Sequence, residues 1–205
     1  METKTLTVRL TLTEEMLGTA SANPEIHSEY IASKAPDAMS MEEEVAAIGA
    51  DEVEKKAMTV FPRDADGAPI LWDYQIKGFF KDACKALRKA PGSESSKIKA
   101  YKQEIDGLIF VEPRMIKLDM HGGKMGVCQR PLRASTPQGE RIALASSETV
   151  PAGTTMEMTF RLLTPDVHKA ALQEWLNYGK LRGLGQWRNS GKGRYTFEQL
   201  KKGDG

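Results

Sequence analysis

Cysteine is nearly absent from this chain: Cys84 and Cys128 are the only two, 44 positions apart. That spacing makes no C-x-x-C metal or redox pair, and two thiols suit a reducing cytoplasm better than a stapled secreted fold. Histidine is scarce as well, with His27, His121 and His168 alone. No motif implies a metal or a cofactor, and none is expected. No apolar run approaches the roughly 20 residues of a membrane span. The opening METKTLTVRL is strand-like and lacks the apolar core of a signal peptide. The expectation is a cytoplasmic protein with no membrane partner. At 205 residues, 40% hydrophobic and 28% charged, the chain can bury a sizeable core without disulfides.

A strong overall charge is also missing, since the formal net charge is only +1. The balance hides an asymmetry. Residues 1–70 hold 6 Lys and Arg against 14 Asp and Glu, and residues 71–205 hold 23 against 14. So polarised a chain presents an acidic and a basic surface, and the basic one can meet a polyanion or simply face solvent.

The hydrophobic pattern gives the element order. KTLTVRLTLT at 4–13 alternates with period two, as a half-buried strand does. MSMEEEVAAIGADEVEKKAM, residues 39–58 of a segment read as helical over 38–58, is acidic at its start and basic at its end, which suits a helix with a thin apolar stripe. It reads as a surface insertion at about 35–60 within a single domain spanning 1–205. Asp64 and Asp66 in PRDADG form a turn. From Asp73 to about Lys89, Ile76, Phe79, Phe80, Ala83 and Leu87 recur at threes and fours, marking a core-facing helix that Asp73 can cap. GSESSK follows as a linker or flexible loop. Residues 104–119 read as a strand or a strand pair bent at Pro113. HGGKMG is a turn, and an extended loop lies around RASTPQGER. Residues 154–163 alternate again. Thr164-Pro165 opens a helix that Gly179 can close. A glycine-rich loop then leads into a short strand, Arg194 to Gln199. Without the insertion the order is βαββαβ, which predicts an α+β fold with a ferredoxin-like (RRM-like) core: four antiparallel strands, with two helices on one face. The open face of such a sheet commonly receives single-stranded RNA.

Three segments, in order, carry a family likeness. They are TLTVRLTLTEEMLG, then GAPILWDYQIKGFFKDACKAL at 67–87, then VPAGTTMEMTFRLL followed by a helix and GLGQWRNSGKGRY. Gly67, Pro69, Ile70, Lys77 and Gly78 match the second segment, and Gly183, Gly185, Gly191 and Gly193 match the third. On these residues the chain resembles the RAMP superfamily of CRISPR-associated proteins, most nearly its crRNA-binding backbone subunit. It departs from that pattern at Trp72-Asp73-Tyr74-Gln75, where the family has Pro-Gly-Ser-Ser. The resemblance covers about half the chain. It implies RNA binding, with guide RNA, copies of the chain or other CRISPR effector subunits as partners.

The candidate RNA-binding residues fall in three places. The glycine-rich loop offers Arg182, Gly185, Trp187, Arg188, Lys192 and Arg194. Glycines let backbone N–H groups approach phosphate, the cations add charge, and an indole can stack on a base. The same loop also reads as a structural hairpin, with Trp187 filling a core edge. The helix from Asp73 offers Gln75, Lys77, Lys81, Lys85 and Arg88. Its lysines, four apart, share a face that suits a phosphate backbone or water equally. Arg130 and Arg133, with Lys124 and Arg141, stand in the region read as irregular. The leading reading is a non-catalytic module that grips the backbone of single-stranded RNA. A second is a metal-independent endoribonuclease with His27 as general acid or base. A third is a phage regulator or decoy that inserts into a CRISPR complex, motivated by the acidic segment 42–54.

Overall fold

The computed structural model describes residues 3–22, 58–136 and 139–200. The segment read as a helix over 38–58 lies outside them except for Met58, and so does His27. The fold is mixed α+β. The chain divides into two compact units, residues 1–16, 62–124 and 150–205 in the first and 17–61 and 125–149 in the second.

The first unit is built on an antiparallel sheet. β1 (Lys4–Leu12) lies in its middle, as the period-two pattern predicts. On one side it pairs with β10 (Thr155–Leu162), Val8 opposite Met158. On the other it pairs with β11 (Tyr195–Leu200), Leu10 opposite Phe197. β10 in turn carries β6 (Ile109–Glu112) at the far edge, Phe160 opposite Val111. The spatial order is β11-β1-β10-β6. Leu6, Val8, Leu10, Leu12, Met156, Met158, Phe160 and Leu162 all bury one face.

Two helices cover that face. α1 (Asp73–Leu87) follows the short strand β5 (Ile70–Trp72) and turns Ile76, Phe79, Phe80 and Ala83 inward. The Phe80 ring meets Phe160 at 5.3 Å and Trp175 at 5.4 Å, and burying each such side chain contributes roughly 2–3 kcal/mol. β5 itself pairs with β7 (Met115–Lys117) beyond the bend at Pro113. Asp64 is the turn residue its sequence announces: one carboxylate oxygen accepts the N–H groups of Asp66 and Ala68 at 3.0 and 2.8 Å.

Four local expectations need correction. Asp73 is the first helical residue rather than the cap. The cap position is Trp72, whose N–H is taken by the Gln75 side-chain oxygen at 2.7 Å. The expected linker GSESSK holds a helical turn, α2 (Glu94–Lys97), started by Ser93. Residues 104–108, read as strand, belong to α3 (Tyr101–Leu108). Tertiary partners decide both segments. Glu174 accepts the N–H groups of Glu94 and Ser95 at 2.9 and 3.0 Å, and Trp175 donates to Ser95 Oγ. Glu104 meets the buried His168, which also bonds Thr164. Finally, α4 (Pro165–Arg182) runs past Gly179 and ends at Gly183. Gly179 is a packing residue: a β-carbon there would strike the Tyr195 ring.

In the second unit the expected loop around RASTPQGER is a long hairpin. β8 (Gly126–Thr136) and β9 (Gly139–Val150) pair antiparallel from Gly126 opposite Thr149 to Thr136 opposite Gly139. Polar composition concealed it, since GVCQRPLRAST and GERIALASSETV carry no sustained apolar alternation. β9 also pairs in parallel with β4 (Thr59–Val60), which pairs with β3 (Ala20–Ser21). β2 (Met16–Leu17) lies where the chain passes from one unit to the other.

Candidate nucleic-acid interface

The first unit offers three polar surfaces, and they differ in how their charge is used. The open sheet face is lined by Thr7, Thr11, Thr155 and Thr159, with Thr7 and Thr159 joined at 2.8 Å. Its cations are spent on glutamates. Arg9 bridges Glu157 and Glu198 at 2.6 and 3.0 Å, and Arg161 pairs with Glu112 at 3.2 Å. Both guanidinium groups are held above their ordinary pKa, chiefly by the hydrogen bonds they donate to Glu157 and Glu112. Two arginines therefore face three glutamates. Of the aromatic residues in these four strands only Phe110, on the edge strand β6, stands on this face. It is not a surface that attracts a polyanion.

The glycine-rich loop is the second surface. Gly193 has φ +71°, and its N–H donates to the Glu15 carbonyl at 2.8 Å. Leu184 N–H donates to the Gly193 carbonyl at 2.9 Å. A side chain at Gly193 would strike the Leu184 backbone, and one at Gly183 would strike Lys192 and Gly193. Both glycines are thus required by two backbone segments crossing in contact. The cations of the loop are mostly matched. Arg188 donates to Asp82 of α1 at 2.8 Å, Arg182 lies 3.6 Å from the same carboxylate and also bonds Asn189, and Lys192 pairs with Glu15. Arg194 Nε donates to the Leu181 carbonyl at 2.9 Å. Gly185 has φ +76°. Trp187, also at positive φ, is 42% exposed rather than filling a core edge.

α1 is the third surface. Its predicted lysine track is present. Lys81 pairs with Asp106 of α3 at 2.6 Å, and Lys77 donates to the Asp106 carbonyl at 3.1 Å. Lys85 and Lys89 are exposed and have no carboxylate partner among the described residues. Arg88 lies over the Tyr101 ring at 5.1 Å. Gln75 is used as the helix-start acceptor described above. Asp73 N–H donates to the Arg114 carbonyl at 2.9 Å, so this N–H, like that of Trp72, is already engaged.

The remaining candidates are separate. Arg130 sits in β8 of the second unit, only 8% exposed, and donates to Ser147 at 3.1 Å. Arg133 lies opposite Ile142, and Arg141 opposite Ala134, in the same hairpin. Lys124 is an exposed residue of the first unit. The first unit thus gathers the α1 and loop candidates, with Asp82 joining them, while the hairpin arginines belong elsewhere. Sequence reasoning missed the aromatic neighbours of α1, namely Trp72, Tyr74, Phe110 and Tyr101. The outward position of Phe110 was legible from the alternation in IFVE.

No family model matches the sequence, and no curated protein matches it either. Solved structures do. One is a chain in the cryo-EM structure of the type III-B Cmr-beta bound to cognate target RNA, at TM-score 0.56 and 14% identity, over 98% of this chain and 60% of that one. The fold is one found in CRISPR complexes. A second match is a chain of a type IV-B CRISPR complex, at TM-score 0.51 and 14% identity, over 98% of this chain and 92% of that one. This chain therefore spans about three fifths of the first neighbour's length. Among the described residues no helix is long and apolar enough to cross a membrane, and no group of three metal-ligating side chains occurs.

Proposed function

We propose that this chain is a non-catalytic RNA-binding subunit of RAMP type, with a ferredoxin-like core, that holds single-stranded RNA by its phosphate backbone along α1 as part of a CRISPR-type effector assembly. The order β11-β1-β10-β6, with α1 and α4 on one face, supports the ferredoxin-like reading. The observation that carries the binding is the row Lys77, Lys81 and Lys85 of α1 with Arg88 and Lys89 just past its end, five cations of which, among the described residues, only Lys81 pairs with a carboxylate, that of Asp106. The first unit holds 23 Lys and Arg against 17 Asp and Glu, so its wider field has the same sign. Neighbouring protein subunits and guide RNA are the partners this reading names. The glycine-rich loop contributes by fixing Asp82 and the end of α4, more than by touching phosphate.

Filter binding of a short single-stranded RNA across a salt series tests the proposal. Three or four phosphates contacted predict a slope of log affinity on log salt near −2 to −3. Affinity that does not change with salt, or no binding at all, overturns it. The decoy reading has one observation of its own: the second unit holds 6 Lys and Arg against 11 Asp and Glu. Copurification with effector proteins in the absence of RNA would favour it instead.

A further inference from the structure

The cations of α1 do not stand alone. At the start of the helix the Trp72 and Tyr74 rings lie 12° from parallel, with centroids 6.4 Å apart. The Arg114 guanidinium lies 5.8 Å from the Trp72 ring. One turn further on, Lys77 Nζ is 4.9 Å from the centre of the Phe110 ring. Tyr74 is 56% exposed and Phe110 40% exposed. Tyr74, Lys77, Lys81, Lys85 and Arg88 follow one another along one face of α1. Cations and aromatic rings therefore stand side by side at the start of α1, with Tyr74 on the helix and Phe110, from the edge strand β6, against Lys77.

This juxtaposition discriminates between ligands. A surface meant only for phosphate needs charge and gains nothing from exposed rings. A surface meant only for an apolar partner would not carry a row of cations beside it. Single-stranded nucleic acid has both a charged backbone and flat apolar faces, and base–aromatic stacking with a neighbouring cationic track is how such strands are held without reading sequence. Asp73 beside Tyr74 disfavours phosphate at this end, while leaving an uncharged base acceptable.

We infer that Tyr74 and Phe110 form a base-stacking platform, on which unpaired bases of an RNA strand rest while its phosphates follow Lys85 and Arg88. This rests on the backbone reading for the placement of the strand, and adds contacts to bases that the reading does not contain. The Trp72–Tyr74 pair, backed by Arg114, presents the outer Tyr74 face as the next position of an existing stack.

The test uses the full chain and two fluorescent probes, a ten-nucleotide oligouridine and the same strand made abasic. Wild type should bind oligouridine more tightly than the abasic strand. Tyr74→Ala and Phe110→Ala should each cost about tenfold on oligouridine and leave the abasic strand within twofold. Tyr74→Phe, which keeps the ring, should bind like wild type. Both alanine positions are exposed, and an unchanged melting temperature checks the fold of each variant. Equal binding of the two strands by wild type overturns the platform. So does Tyr74→Ala without effect, which would leave the rings to a protein contact, or Tyr74→Phe as damaged as Tyr74→Ala. In each of those cases salt-dependent binding of the abasic strand leaves the backbone reading intact. Binding of oligouridine that depends on Tyr74 but not on salt removes the backbone reading and keeps the platform.

Discussion

The glycine-rich loop and α1 carry similar numbers of cations, and the molecule disposes of them in opposite ways. In the loop, Arg182 and Arg188 converge on Asp82, and Lys192 meets Glu15. Along α1 and the two residues past its end only Asp106 answers among the described residues, and Lys85, Arg88 and Lys89 are left to solvent or to a ring. Equal charge in a sequence is therefore not equal capacity to bind a polyanion. Counterion release rewards only cations that phosphate can neutralise, and a cation already paired must first give up its carboxylate. The loop is a joint, built where two backbone segments cross. In the function proposed here the helix is the surface.

If that contrast is right, the loop answers to shape. Gly193→Ala should show the largest effect. The residue holds φ +71°, and an added methyl would meet the Leu184 backbone. Left-handed backbone costs about 1–2 kcal/mol for an alanine, and overpacking a comparable amount. A loss near 3 kcal/mol should lower the melting temperature by roughly 10 °C for a chain of this size. Calorimetry reads it, and a shift under about 2 °C would mean that the crossing relaxes easily and the loop is free for ligand after all.

Next in size is the helix. Replacing Lys85, Arg88 and Lys89 together by Glu should weaken RNA binding by about 100-fold at 0.1 M salt, the value of three single-strand phosphate contacts, and flatten the salt slope by about 2. Stability should hold, because none of the three pairs with a carboxylate among the described residues. Arg188→Ala reverses the pattern. Its ion pair with Asp82 is only partly exposed, so its loss should cost about 1 kcal/mol of stability. RNA affinity should fall by less than the roughly fivefold that one phosphate contact is worth at 0.1 M salt. A larger fall would move the loop from joint to ligand site.

The frame of this arrangement could be read from sequence where apolar residues repeat. The alternation in KTLTVRLTL and TMEMTFRL fixed β1 and β10, and the threefold and fourfold spacing of Ile76, Phe79, Phe80 and Ala83 fixed α1. It failed where partners distant in the chain decide. Glu94 and Ser95 are helical because Glu174, some 80 residues away, accepts their N–H groups. The hairpin 126–150 has too little apolar alternation to show itself, and its ladder of paired residues appears only in the fold. The lysine track was legible because a helix face follows from spacing alone. The pairing that disarms the loop was not, since Asp82 and Arg188 are 106 positions apart. Nor was the stack of Trp72 on Tyr74, which requires knowing that a strand ends and a helix begins between them.

The smallest effect belongs to the residue that follows the loop. Tyr195 is buried against Gly179, and its hydroxyl has no hydrogen-bond partner among the described residues. Burial alone pushes its phenol far above the ordinary tyrosine range. The ring packs on Phe79 at 6.5 Å, so shape is what the position supplies. Tyr195→Phe removes a buried polar group that gains nothing in the folded state, while keeping the ring against Gly179. Desolvating an unpaired hydroxyl costs about 1–3 kcal/mol, against the small void that its loss leaves. The variant should therefore melt within a degree or two of wild type or slightly above it, with unchanged RNA binding. A clear drop in stability would show that the hydroxyl has a bonded partner, a water or a residue outside the described ones, and that this end of the loop depends on polarity as well as on shape.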